Sequence, residues 1–245
     1  MTALELFDPS GIERVLCVVA HPDDMEYGGS AAVAEWTARG VEVSYLLLTA
    51  GEAGIRDMDP AECGPLRAAE QREACDVVGV SGLTILDLPD GLVEHSLETR
   101  ARIAHEIRRV RPDAIITMTW NLDAGWGLNH ADHRATGLAV VDAIRDADNP
   151  WLFSERLASD ASEGERLEAW KTTWLLVTSH DPGHAIEVSE AALERGIRSL
   201  EAHRAYLAAL TDHPTPRDLI TGVLTGGGQG AGVPYALPVH AYRMG

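Results

Sequence analysis

Residues 15–24 read Val15-Leu16-Cys17-Val18-Val19-Ala20-His21-Pro22-Asp23-Asp24, and the fold turns on them. The apolar run 15–19 has the form of a buried strand. Gly28, Gly29 and a run of alanines then open a helix. His21 and Asp24, both metal-competent, therefore share a strand-to-helix turn with Asp23 between them. That turn lies at the carboxyl end of a strand, where open α/β sheets place their ligands. Pro22 fixes one φ and leaves the cluster few arrangements.

Outward from this turn, strands and helices alternate. Residues 14–20 form a first strand and 29–39 a helix, with Gly40 placed as its C-terminal cap. Residues 41–49 form a second strand, followed by a long polar loop at 50–64. Pro65 is read as opening a helix that runs to residue 80. A third strand at 83–88 closes on the turn Pro89-Asp90-Gly91. A helix at 97–110 carries arginines in its last turn, where cations suit the helix dipole. The fourth strand, 113–119, leads into a polar, aromatic loop and a helix at 134–147. Residues 151–170 read as irregular structure with short helical turns. Strands follow at 172–178 and 185–188. A long amphipathic helix spans 189–210, with Ser189 as its N-cap. The glycine-rich stretch within 221–232 reads as a loop or mobile lid, and 233–243 as a late strand.

This pattern predicts an α/β fold: a Rossmann-like, mostly parallel sheet flanked by helices, in one domain over residues 1–245. In the doubly wound order 3-2-1-4, the first and fourth strands are neighbours and their carboxyl ends share the active site. The chain has 245 residues, 45% of them hydrophobic, enough for one substantial core. Its net charge of −18 disfavours nucleic acid and anionic membranes as partners. Cys17, Cys63 and Cys75 are too few for a disulfide scaffold. The opening residues carry no secretory pattern, and no stretch is long and apolar enough to span a bilayer, so a cytoplasmic location is expected. GGGQGAG at 226–232 lacks the Lys-Ser/Thr of a phosphate loop, so no nucleotide cofactor is expected. Assembly into a homo-oligomer is left open.

The loop after the fourth strand supplies His130-Ala131-Asp132-His133. A catalytic zinc takes three protein ligands and keeps one position open. His21, Asp24 and one of the two later histidines meet that need, and residue chemistry alone does not choose between His130 and His133. Asp23 is placed to take a proton from water. The remaining histidine can donate a proton or steady an oxyanion, with Asp132 orienting its ring.

AHPDDMEYGGSAA (20–32), LLLTAGEAG (46–54), RAAEQREACDVVGV (67–80), RPDAIITMT (111–119) and NHADHRATG (129–137) together resemble the PIG-L/LmbE-like N-deacetylases. The late stretch SLEAHRAYL (199–207) matches more loosely. The resemblance implies one zinc ion per chain held by His21, Asp24 and His133. It makes Asp23 the general base and His130, partnered by Asp132, the acid or oxyanion stabiliser. Arg67 and Asp90 fall at positions that bind sugar hydroxyls. It further implies a small-molecule N-acetylglucosamine-type substrate that loses its acetyl group. An amidase on a thiol-conjugated amino sugar, a phosphoesterase and a non-catalytic sugar- or metal-binding relative are the alternatives. Mycothiol-pathway members often carry a tyrosine two residues before the first histidine of the second motif; this chain has Leu128. Trp126 could stack on a sugar face, and Glu52, in the long loop after the second strand, is a candidate substrate contact. His180 and His184 bracket Asp181-Pro182-Gly183 and read as flanking a turn.

Overall fold

The computed structural model describes residues 3–153, 167–178 and 181–244. Residues 154–166 of the stretch read as irregular, and His180, lie outside the described residues.

Among the described residues, ten strands and seven helices follow one another as β1 (Glu5–Leu6), β2 (Arg14–Val19), α1 (Gly29–Ala38), β3 (Glu42–Leu47), α2 (Pro60–Val78), β4 (Gly82–Ile85), α3 (Leu97–Val110), β5 (Ala114–Met118), β6 (Asp123–Ala124), β7 (Gly127–Leu128), α4 (Ala131–Asp148), β8 (Trp174–Thr178), β9 (His184–Glu187), α5 (Glu190–Glu201), α6 (Arg204–Ala209), α7 (Pro216–Ala231) and β10 (Ala236–Arg243). The main sheet runs β1-β9-β10-β8-β5-β2-β3-β4. β2 is central, pairing in parallel with β3 (Val15 opposite Val43) and with β5 (Val15 opposite Ala114). The expected neighbourhood of the first and fourth strands is thus present.

Strand alternation divides the core into two layers. Val15, Cys17 and Val19 face one layer with α1, α5 and α7, while Leu16 and Val18 face the other with α3 and α4. Both faces of β2 are therefore covered by helices, which is why its sequence is apolar throughout instead of alternating.

Several boundaries differ from the sequence reading. α2 begins at Pro60, where the Asp59 side chain caps the Ala61 amide at 2.9 Å, so Pro65 lies inside the helix and the preceding loop is shorter. α4 begins at Ala131, which puts Asp132 and His133 in its first turn, with the His130 ring as its cap. The long helix at 189–210 is broken: α5 ends at Glu201 and α6 starts at Arg204, around a fully buried His203.

The glycine-rich lid is instead the second half of α7. Thr215 caps it, Pro216 takes the first helical position, and Gly232 closes it in the left-handed region. A Cβ on Gly227 would stand 2.2 Å from the Ala236 carbonyl oxygen, and one on Gly228 would stand 2.5 Å from that of Val233. These glycines let the helix press directly on the backbone at the start of β10 and on the turn that leads into it. The late strand exists, but it runs antiparallel between β8 and β9. No helix among the described residues is long and apolar enough to cross a membrane.

Candidate metal centre

Four chain segments meet at the carboxyl ends of β2, β3, β4 and β5. The turn after β2 brings His21, Asp23 and Asp24. The hairpin β6–β7 and the start of α4 bring His130, Asp132 and His133. The turn after β4 brings Asp90, and the loop after β3 brings Glu52.

Asp24 stands between two imidazoles. Its Oδ1 is 3.1 Å from His133 Nε2, and its Oδ2 is 3.6 Å from His21 Nδ1. The His21 main-chain amide also donates to Asp24 Oδ2 at 2.8 Å, which fixes the carboxylate within its own turn. His133 Nδ1 lies 3.1 Å from Asn129 Oδ1. The Asn129 amide nitrogen is already committed to the carbonyls of Thr119 and Asn121, so its oxygen must face the imidazole. His133 therefore donates through Nδ1, which leaves Nε2 as the nitrogen that faces Asp24 and that would coordinate a metal once the ion replaces the proton between them.

These three residues fit a divalent metal. Their ligand atoms all lie within 4.8 Å of one another. About 3.3 Å separates donor atoms around a tetrahedral zinc with bonds near 2.05 Å, so the 3.1 and 3.6 Å spacings suit one. Two imidazoles and a carboxylate leave a fourth position open. A second group, His21, His130 and Asp132, meets the same distance test. Its carboxylate is more fully engaged, because Asp132 accepts from the amides of Gly91 at 2.7 Å and Val93 at 3.2 Å.

The electrostatics call for a cation. Burial disfavours charge on His21, but Asp24, Asp132 and Asp90 overcome it and push its pKa up to about 12. Burial also works against a charged Asp24, yet His133 and His21 hold its carboxyl far below the usual range. A cage that retains a proton this firmly supplies the negative field that a metal ion would occupy, releasing the proton as it binds.

Asp23 sits in a second, drier environment. It is 4% exposed and adopts φ 85°, the left-handed region that a non-glycine residue avoids. Its main-chain amide donates to Gln71 Oε1 at 2.9 Å, and Arg67 Nη2 donates to its Oδ1 at 3.2 Å. Its Oδ2 is buried without a hydrogen-bond partner among the described residues. Burial raises the Asp23 pKa, Arg67 offsets part of that, and the Asp24 charge raises it again, to about 7. Strain of this kind persists where surrounding contacts enforce it.

Two sequence expectations change here, those for Arg67 and Asp132. Arg67, read as a sugar contact, is 2% exposed and turned inward. It bonds to the carbonyls of Gly51 and Pro22 as well as to Asp23, and its guanidinium lies 4.1 Å over the Tyr206 ring. Asp132, read as the partner of the His130 ring, gives its carboxylate to His21 Nε2 at 3.1 Å, and only its main-chain amide reaches His130 Nδ1. Asp90 lies beside the centre, 3.1 Å from His21 Nε2, while its amide is held by Glu52 Oε1. Trp126 stands 66% exposed in the turn of the β6–β7 hairpin.

Sequence reasoning missed Asn129 and Gln71. It also missed the buried pair behind them, in which Glu26 Oε1 accepts from Gln71 and Glu26 Oε2 faces His203 Nε2 at 3.6 Å. A cavity of about 120 Å³ opens beside Asp24, lined by Val19, Met25, Tyr27, Met118 and Leu237 among others.

The chain is similar to several deacetylases of amino sugars. Diacetylchitobiose deacetylase of Thermococcus kodakarensis is 28% identical over 197 residues, covering 79% of this chain and 70% of that protein. The 1D-myo-inositol 2-acetamido-2-deoxy-alpha-D-glucopyranoside deacetylase of Kineococcus radiotolerans is 27% identical over 282 residues, covering 100% of this chain and 72% of that protein. The solved structure of N,N'-diacetylchitobiose deacetylase from Pyrococcus horikoshii superposes with a TM-score of 0.82 at 20% identity, covering 96% of this chain and 85% of that one, which supports the fold. The model of the PIG-L family, described as GlcNAc-PI de-N-acetylase, matches residues 16–144, more than half of the chain and the span that carries every proposed metal ligand, so the chain belongs to that family.

Proposed function

We propose that this protein is a zinc-dependent N-deacetylase that hydrolyses the acetamide of an N-acetylglucosamine-type amino sugar or glycoconjugate, with one zinc per chain. The observation that carries this reading is the carboxylate of Asp24 set between His21 and His133, with the buried, strained Asp23 as its chain neighbour. A divalent ion at those ligands would supply Lewis acidity, polarising the amide carbonyl and acidifying water.

The chain's own groups account for the proton movements. Asp23 Oδ2 takes a proton from water as its oxygen attacks the acetyl carbon, a task suited to a carboxyl poised near neutral pH. Arg67 and Gln71 hold Asp23 in place. The His130 ring, 5.3 Å between centroids from His21, lies beside the centre and hydrogen-bonds the oxygen that gains charge. As the C–N bond breaks, the proton held by Asp23 passes to the departing amine, leaving acetate and a free amino sugar. Asp132 orients His21, Asp90 and Glu52 offer carboxylates to sugar hydroxyls, and the Trp126 ring can stack on a sugar face. The apolar cavity beside Asp24 receives the acyl methyl group. Three buried, unpaired cysteines suit a reducing compartment and support a cytoplasmic location.

The test pairs metal analysis by mass spectrometry with acetate release from N-acetylglucosamine. About one zinc per chain is expected, with release abolished by a chelator and restored by zinc. A protein that takes up no metal after zinc is added, or that releases acetate equally well in chelator, refutes the proposal. His133→Ala removes one of three ligands and is expected to lose zinc by at least about tenfold to a hundredfold in affinity. Full zinc occupancy of that variant in dilute metal would refute its role as a ligand.

A further inference from the structure

Three of the most exposed large hydrophobic side chains stand on segments tied directly to the candidate centre. Leu92 is 71% exposed, Leu128 is 74% exposed and Trp126 is 66% exposed. Leu92 lies between Gly91 and Val93, whose amides grip the two oxygens of Asp132. That grip fixes its backbone at the edge of the site. Leu128 precedes His130 by two residues, with Asn129 between them turned inward onto the carbonyls of Thr119 and Asn121. Alternation along extended chain then directs Leu128 and His130 to the same outward side. Leu92 and Leu128 thus stand, exposed, on the two segments that meet at Asp132 and His130. Single exposed hydrophobic residues are ordinary, but several grouped at the mouth of a site mark a binding surface.

The charges nearby select what this surface takes. The guanidinium groups of Arg67, buried on α2, and of Arg134, next to His133 on α4, are turned onto main-chain carbonyls. Asp90 and Asp132 are likewise turned inward, each onto His21 Nε2 at 3.1 Å. With these charged groups committed to the interior, the exposed leucines are what this edge offers, and that surface suits an uncharged apolar substituent.

We propose that Leu92, Leu128 and Trp126 form a subsite for an apolar aglycone, so that the preferred substrate is an N-acetylamino sugar carrying a hydrocarbon-like substituent. This rests on the deacetylase reading and adds the class of group attached to the sugar.

The test compares methyl and octyl 2-acetamido-2-deoxy-β-glucopyranoside, below the micelle concentration of the latter, on zinc-loaded protein. Calorimetry reports binding and an acetate assay reports turnover in the same samples. Burial of as few as two methylenes corresponds to about tenfold in affinity, so the octyl glycoside is expected to bind at least about tenfold tighter. In the Leu92→Ser/Leu128→Ser variant that ratio is expected to fall to within about twofold; exposed substitutions of this kind leave folding intact. Equal binding of the two glycosides by the unaltered protein overturns the subsite. So does an octyl preference that survives in the variant, because the chain then lies elsewhere, as in the cavity beside Asp24. A dimer in sedimentation that dissociates in the variant, with no octyl preference, assigns the rim to a second copy and also overturns it. Absence of acetate from both glycosides, with the calorimetric preference intact, removes the hydrolase reading and leaves the apolar subsite standing.

Discussion

Asp23→Asn is expected to lower acetate release by about 10²–10⁴-fold while leaving zinc content unchanged. Asparagine keeps the shape of the side chain and tolerates the left-handed backbone at φ 85°, so the turn that carries His21 and Asp24 is preserved. What it loses is the carboxylate that Arg67 holds in position and that burial, with the Asp24 charge beside it, brings to a pKa of about 7. Rate and metal content together separate the possible roles. A variant that loses its zinc would show that Asp23 serves the metal site, and one within tenfold of the unaltered rate would show that the proton goes elsewhere.

The second large effect is on stability, and it reverses the ordinary preference for alanine over glycine in a helix. Gly226 and Gly227 are neighbours in α7. A Cβ on Gly226 meets nothing within 4 Å, so Gly226→Ala is expected to stabilise by about 1 kcal/mol, raising the melting temperature by roughly 2–4 °C. A Cβ on Gly227 would stand 2.2 Å from the Ala236 carbonyl oxygen and 2.8 Å from Pro238 Cδ. Backbone and a proline ring cannot swing aside, so the helix must lift from β10. Gly227→Ala is therefore expected to cost about 3 kcal/mol, lowering the melting temperature by roughly 6–12 °C. Thermal unfolding of the two variants side by side is the measurement. An equal response at both positions would show that α7 does not press on β10 as described.

These glycines also show where sequence reasoning stops. The five parallel strands and the metal motifs are legible because each is written locally: an apolar run of strand length, a turn, then ligand-bearing residues. α7 is not, because its glycine content reads as loop, although Thr215-Pro216 and Gly232 mark both of its ends. Its helicity is imposed by a neighbouring backbone too close for any side chain. The break at His203 has a similar origin, since the ring is buried against Glu26, far away in sequence. Arg67 is legible as a basic helix residue, but whether it faces substrate or Asp23 depends on tertiary placement. Asn129 lies inside a recognised motif, and Gln71 lies on a recognised helix. Both act through neutral hydrogen bonds that carry no charge or periodicity to flag them.

The placement of β10 bears on the order in which the sheet can be completed. β9 and β1 join the other strands only through β10, which follows β9 by some fifty residues of chain. The parallel unit from β4 to β8 can assemble from earlier segments, as domains tend to form from their N-terminal side during synthesis. Until β10 arrives, however, β8 presents an open row of amides and carbonyls beside the apolar Leu175-Leu176-Val177. An open edge of that kind is a template for pairing with another chain. The most hazardous interval in the life of this molecule is thus a brief one, after its catalytic half has formed and before the strand that seals β8 has docked.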